Sequence, residues 1–214
     1  MLIKKGAEAN LYLENWHGKK VIIKERIPKK YRLPVLDERI RTYRTVHEPQ
    51  LMHEAKKAGV PTPTIYMVDL AKKSIIMEYV EGKQVKRILN QLSAKERIEL
   101  CRKIGILIGR LHKNGIIHGD LTTSNMILTS NGKIYFVDFG LGEFSKELEA
   151  KGVDLHLMKR ALQSTHYLFA EESFNAVLEG YAEAVGEVEA KKVLEKIREI
   201  ELRGRYIAER RKEE

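Results

Sequence analysis

The segment that most restricts this chain is NMILTSNGKIYFVD, Asn125 to Asp138, two short apolar runs around Asn131-Gly132. Asn-Gly between alternating apolar residues favours a two-residue type I′ turn, because both central positions need positive φ. With that turn, Ser130 faces Lys133, Thr129 faces Ile134 and Asn125 faces Asp138. Directly opposed residues lie about 4.5–5.5 Å apart at Cα. The open mouth of the hairpin is therefore expected to present an amide beside a carboxylate. Asp120 lies one short loop upstream of the same mouth, in HGDLTTSN, His118 to Asn125.

An amide oxygen and a carboxylate held side by side form a hard-oxygen set suited to Mg²⁺, which needs few protein ligands when a polyphosphate supplies the others. Unit charges about 5 Å apart repel by ~3 kcal/mol at an effective dielectric of ~20. Asp138 and a triphosphate thus require a cation between them. On this arrangement Asn125 and Asp138 hold the ion, and Asp120 accepts a proton from a nucleophile. A base so placed is worth about 10²–10⁴ in rate.

The rest of the chain has to build a frame around that mouth. With 214 residues, 43% of them hydrophobic, it can bury a core as one domain or two small lobes. Cys101 is the sole cysteine, which excludes an internal disulfide and fits a reducing compartment. The opening MLIKKGAEANLYL lacks the apolar stretch of a signal peptide, and no run approaches about 18 apolar residues. A cytoplasmic protein with no membrane partner is the expectation.

The net charge of +9 is unevenly spread: Gly18 to Lys57 carries twelve Lys and Arg against five Asp and Glu. Such a cluster suits a phosphate-rich partner such as RNA through counterion release, and a solvated lysine face is the competing reading.

Before residue 80 the chain is β-rich: LIKKGAEANLYL, KKVIIKER, TIYMVD and KSIIMEYV read as strands, with GAEA turning the first hairpin. LDERIRTYRTVHEPQLMHEAKKAG reads as a helix interrupted near Pro49 and ended by Gly59. From Leu92 the pattern is helical. Ser93 and Glu96 form a capping box, Leu100, Ile104, Leu107 and Leu111 follow at helical spacing, and Asn114-Gly115 closes the helix. Further helices are expected over 153–170, 173–185 and from 187 to about 203. A β-rich front and a helical back imply two lobes with a boundary near MEYVEG, Met77 to Gly82, and a ligand cleft between them.

HGDLTTSN followed by VDFG resembles the catalytic loop and metal motif of the protein-kinase-like fold. The resemblance implies a two-lobed α+β fold, with residues 1–80 as a β-rich N-lobe carrying one main helix and 81–214 as a reduced helical C-lobe. It implies ATP and Mg²⁺. Lys24, ending KVIIK, matches the phosphate-pairing lysine, and Glu54 in LMHEAKKAG is its expected helix partner. Gly6 and Ala7 in GAEA correspond to a reduced glycine-rich loop. MEYVEG corresponds to the hinge, with the backbone of Glu78 and Val80 placed for adenine and Met77 as gatekeeper. Asp154 in GVDLHLMKRA resembles the buried helix acid that braces the catalytic loop.

Departures narrow the family. Gly119 stands where arginine is usual, so a phosphorylated activation loop has nothing to pair with. Only 74 residues follow Gly140, without an APE motif, which leaves little room for a peptide-docking platform. With KGAEA, HGDLTTSN, DFGL and a late LRGR, the chain is similar to the atypical kinase/ATPase of the KEOPS complex, the PRPK type. That likeness implies binding to the threonylcarbamoyl-transferase subunit and other KEOPS subunits. It also implies ATP hydrolysis in support of threonylcarbamoyladenosine formation on tRNA, and serine/threonine autophosphorylation in isolation. The tail RGRYIAERRKEE departs from the compact basic segment of the family: from Arg198 onward six basic residues meet five acids. The basic N-lobe surface remains the expected tRNA contact.

Two other enzyme classes share parts of this pattern. Small-molecule phosphotransferases of the aminoglycoside or choline kinase type also use HGD followed by Asn, but the large helical insert or acidic pocket they need is missing. RIO-like assembly kinases are likewise small and lack the peptide platform. A nucleotide-binding scaffold with incidental hydrolysis is the third reading, opposed by the retained Lys24, Glu54, Asp120, Asn125 and Asp138.

Overall fold

The computed structural model describes the backbone of residues 1–213 and the side chains of residues 1–203. The tail RGRYIAERRKEE lies, but for Arg203, outside the described side chains.

β1 (Leu2–Lys5), β2 (Ala9–Trp16) and β3 (Lys19–Arg26) form an antiparallel meander, followed by α1 (Pro34–Lys57). β4 (Ile65–Asp69) and β5 (Ser74–Glu78) complete a five-stranded sheet of order β1-β2-β3-β5-β4. Gly6, Ala7 and Glu8 turn β1 into β2, with the Gly6 N–H donating to Ala9 O at 3.0 Å. His17 and Gly18, at φ 48° and 77°, join β2 to β3 with Trp16 opposite Lys19. Two consecutive positive φ values are the mark of a type I′ turn.

The expected break at Pro49 does not occur. α1 runs through it. An interior proline costs a helix about 3 kcal/mol. Leu51, Met52 and Ala55, all buried just beyond it, offset that cost, since a fully buried large aliphatic contributes about 1.5–3 kcal/mol.

The chain then enters β6 (Lys83–Gln84), α2 (Val85–Ile88) and α3 (Ala94–Lys113). α3 opens on the expected capping box: the Ser93 N–H donates to Glu96 Oε2 at 3.0 Å and the Glu96 N–H to Ser93 Oγ at 3.4 Å. β7 (Ile116–Ile117) leads to the catalytic-type loop, and β8 (Met126–Leu128) and β9 (Ile134–Phe136) form the central hairpin. β10 (Glu143–Phe144) returns to pair with β7. Three helices finish the fold: α4 (Leu148–Thr165), α5 (Ala170–Val185) and α6 (Glu187–Glu213).

The hairpin register differs from the expected one by a residue. Met126 pairs with Phe136, Ile127 with Tyr135 and Leu128 with Ile134. Gly132 has positive φ (78°) and Asn131 does not, so the loop is three residues long, Ser130 to Gly132. Thr129 Oγ donates to Asn131 Oδ1 at 2.5 Å and accepts from the Lys133 N–H at 3.2 Å, which favours this longer loop. Asn125 consequently faces Val137, whose N–H donates to Asn125 O at 2.9 Å, and Asp138 lies one residue beyond. A one-residue slip reverses the face of every side chain in a strand. Asp138 leaves the strand at φ 67°, so the strand alternation does not set the direction of its side chain.

Leu51, Met52, Ile75 and Met77 from the first part and Ile104, Leu111, Leu121, Phe136, Phe139 and Tyr181 from the second belong to one continuous core. Burial pushes the Cys101 thiol up to about 11, which keeps it protonated and unreactive. The architecture is the α+β, two-lobed arrangement read from the sequence. Among the described residues no helix is long and apolar enough to cross a membrane.

Candidate active site

β3 alternates, so Lys24 and Arg26 leave it on one face, and both are buried. α1 brings Glu48 to them. Lys24 Nζ donates to Glu48 Oε1 at 2.7 Å, and Arg26 Nη2 donates to Glu48 Oε2 at 2.5 Å. Glu54 does not take this place. It is half-exposed and salt-bridged to Lys57 at 3.0 Å. Six residues turn a helix through about 600°, which puts Glu54 about 120° round from Glu48. Glu48 shares its face with the buried Leu51, Met52 and Ala55 at i+3, i+4 and i+7. That stripe marks Glu48 in the sequence, and it is continuous only because the helix runs through Pro49.

Lys24 Nζ also donates to Asp138 Oδ1 at 2.6 Å. Burial opposes a charged ammonium, but Glu48 and Asp138 outweigh it and hold the Lys24 pKa above its ordinary value. Burial likewise pushes the Asp138 carboxyl up, while Lys24 overrides it and holds the carboxyl below the usual aspartate range.

The HGD loop is held from beneath by Asp154, which is fully buried on α4. Asp154 accepts the His118 N–H at 2.8 Å, the Gly119 N–H at 2.9 Å and a contact from His112 Nε2 at 3.2 Å. His118 receives the Asp120 N–H on Nδ1 at 3.3 Å, so its proton sits on Nε2, which donates to Val137 O at 3.2 Å. Burial lowers the His118 pKa and favours this neutral form. The ring therefore couples the loop carrying Asp120 to the backbone just before Asp138. Asn125 Nδ2 donates to Asp120 Oδ2 at 2.8 Å and to Asp120 O at 3.0 Å. Thr123 Oγ meets His166 Nε2 at 3.0 Å, and Gln84 Nε2 donates to Ser124 O at 3.0 Å, fixing the rest of the loop.

At the opposite rim, the register places Ala9 beside Arg26, so the Gly6–Glu8 turn sits at the sheet end nearest this cluster. Ala7 is exposed, while Glu8 is drawn to Arg32 at 3.0 Å and Arg44 at 3.1 Å. This acid in a phosphate-type loop, absent from the sequence reading, is neutralised by two arginines. On the hinge segment, the Glu78 N–H is used by Thr64 O at 2.8 Å. The Val80 N–H has no protein partner among the described residues, and Met77, just before this segment, is buried.

A divalent cation fits this donor set on chemical grounds. No cluster of three His, Cys, Asp or Glu able to hold a metal occurs among the described residues. Asn125 spends its amide nitrogen on Asp120, leaving Oδ1 available, and Asp138 spends one carboxylate oxygen on Lys24, leaving the other. One amide and one carboxylate oxygen suit an ion whose remaining ligands are phosphate and water.

Comparison with known proteins agrees with this geometry. The protein kinase domain family matches residues 5–199. The chain is 52% identical over 211 residues to the KEOPS complex subunit Bud32 of Pyrococcus abyssi, covering 96% of each chain. It is 49% identical to a probable bifunctional tRNA threonylcarbamoyladenosine biosynthesis protein of Methanothermobacter thermautotrophicus, and 47% identical to one of Methanobrevibacter smithii. In both, 96% of this chain aligns, spanning about 36% of the longer protein. The chain therefore belongs to the protein kinase domain family and, within it, to the KEOPS Bud32 family.

Proposed function

We propose that this protein is an ATP-dependent atypical serine/threonine kinase/ATPase that works as a KEOPS subunit and supports threonylcarbamoyladenosine modification of tRNA. The observation that carries the reading is the meeting of Lys24 with Glu48 and Asp138, beside an Asn125 amide that orients Asp120. Residues 1–80 and 81–214 act as the two lobes. Gly6, Ala7 and Lys24 address the phosphates, and Glu48 takes the partner role first assigned to Glu54. The backbone of Glu78 and Val80 addresses the adenine. Asn125 and Asp138 hold Mg²⁺, which would supply charge neutralisation on the phosphates. Asp120 accepts the proton of the attacking hydroxyl or water, and the Asn125 amide holds its carboxylate in place while it does so. Partners are the threonylcarbamoyl-transferase subunit, the remaining KEOPS subunits and tRNA, in the cytoplasm.

Calorimetry with Mg²⁺-ATP tests the assignment. Asp138→Ala should abolish metal-dependent binding. Asp120→Ala should keep binding and lose about 10²–10⁴ in turnover. Unchanged Mg²⁺-ATP affinity in Asp138→Ala would refute the metal role. Turnover stimulated by the transferase subunit and tRNA, but not by aminoglycosides or choline, separates the KEOPS reading from the small-molecule phosphotransferases.

A further inference from the structure

His166 is a fully buried ring that the proposed chemistry leaves unused. It caps the C-terminal end of α4, where its backbone N–H donates to Leu162 O at 2.7 Å. Burial, with Lys86 nearby, lowers its pKa and favours the neutral ring. Both ring nitrogens are committed. Nδ1 lies 2.6 Å from Asn90 Oδ1, an acceptor only, so Nδ1 carries the proton. Nε2 is then an acceptor, and it receives the hydroxyl of the buried Thr123 at 3.0 Å.

Thr123 lies between Asp120 and Asn125, the pair joined by the Asn125 amide. α4 therefore reaches this loop at two points. Asp154, in its first half, accepts the N–H groups of His118 and Gly119 just before Asp120. His166, at its end, holds the Thr123 side chain just after Asp120. Gln84 adds a bond to the Ser124 carbonyl. A shift of this stretch carries Asn125 with it and turns its amide away from the Asp120 carboxylate, and a misplacement of about 1 Å costs about 10² in rate. From this geometry, and resting on the ATP-turnover reading above, we infer that His166 is a positioning residue. By holding the Thr123 hydroxyl it sets the placement of Asn125 against Asp120, and so acts on kcat more than on nucleotide affinity.

Steady-state ATP turnover and Mg²⁺-ATP calorimetry on His166 and Thr123 variants test this, with Asp120→Ala as control. Thr123→Val keeps the shape and loses the hydroxyl; it should lower kcat about tenfold and leave Mg²⁺-ATP affinity within about threefold. His166→Asn keeps a polar group for Asn90 but no longer reaches Thr123, and it should match that loss. His166→Gln sets a polar group where Nε2 stood and should recover to within about threefold of the parent. In the His166→Asn/Thr123→Val pair the loss should be no greater than in either single variant, because the two residues make one contact. If the His166 variants do not fold, Thr123→Val against Thr123→Ser, which keeps the hydroxyl, supplies the same comparison. An unchanged kcat with only a lower melting temperature, losses that multiply in the pair, or no recovery in His166→Gln would each overturn the role of His166. Full turnover in Asp120→Ala would instead overturn the site assignment beneath it.

Discussion

The carboxylate of Asp154 holds the backbone N–H of His118 at 2.8 Å in a fully buried setting, and its second oxygen holds the N–H of Gly119 at 2.9 Å. A helix on the C-terminal side thereby sets the path of the loop that delivers Asp120. Asp154→Ala leaves the buried N–H of His118 and the partly buried N–H of Gly119 without their acceptor. Each such group costs about 1–3 kcal/mol, so a loss of about 2–6 kcal/mol is expected in urea unfolding. Asp154→Asn, which keeps one good acceptor oxygen, should lose less. Equal losses in the two variants would show that the carboxylate does not act through both N–H bonds.

Glu48 and Glu54 give a paired test of the helix face. Glu48→Gln removes the charge between Lys24 and Arg26 and should lower kcat/KM for ATP by about 10–100-fold. Glu54→Gln touches a half-exposed ion pair with Lys57, and such pairs are worth about 0–1 kcal/mol. It should leave kinetics within about twofold. Reversed outcomes would place the helix in another register during turnover.

Why Glu54 was the expected residue, and Glu48 the observed one, shows where local sequence signals stop. The capping box at Ser93 and Glu96 depends on contacts within one turn, and it formed as read. The strand runs and the final helices were legible for the same reason, although α4 begins at Leu148 and ends at Thr165, earlier than the expected 153–170. The hairpin was legible as a hairpin but not in register, because Asn131 side-chain hydrogen bonds selected a three-residue loop over the type I′ turn. His17-Gly18, which drew no attention in sequence, adopts the two positive φ values instead. Arg26 and Glu8 carried no local mark at all. Their meaning comes from partners 22 and 36 residues away, which only the assembled fold supplies.

Gly119 tests the departure from arginine. It sits at φ 78°, and a Cβ there would lie 2.1 Å from Leu141 O. Gly119→Arg therefore meets a backbone clash as well as a disfavoured dihedral, which alone costs about 1–3 kcal/mol. The variant should lose ATP turnover and melt at a lower temperature. It should not gain the phosphate-dependent activation its side chain serves elsewhere in the fold. A variant as stable as the parent would mean that the loop has another accessible path.

Acid sensitivity should involve His118. Its folded pKa lies below the ordinary value near 6.5, because burial opposes protonation more than Asp154, Asp138 and Asp120 favour it. The unfolded chain then binds the proton first, so stability is full above the unfolded pKa and falls as pH drops below about 6.5. His118→Gln should flatten the part of this slope due to His118, leaving that from His156 and His166, which are also held low by burial. Asp138, held low by Lys24, adds a second loss only below the ordinary aspartate range. Urea unfolding at pH 7.5, 6 and 5 on parent and variant reads the His118 part; an identical slope would remove His118 from the account.

The basic surface before Lys57 divides into cations already committed and cations that are free. Arg32 is bonded to Glu8 and lies against Asp37, Arg41 binds Asp37 and Glu38, and Arg44 binds Glu8. The side chains of Lys29, Lys30 and Arg39 have no acidic partner among the described residues, although the Lys29 backbone N–H donates to Asp37, and Lys30 and Arg39 are exposed. Charge reversal at the second group should weaken tRNA association and reduce the slope of log K against log salt by about 0.9 per lost phosphate contact. Reversal at Arg32 or Arg41 should act first on stability, by turning ion pairs into like-charge contacts around Asp37. Filter binding across a salt series, with melting of the same variants, separates the two groups. An unchanged slope on reversing Lys29, Lys30 and Arg39 together would assign this face to solvent, and tRNA would have to be met elsewhere on the protein or by its partners.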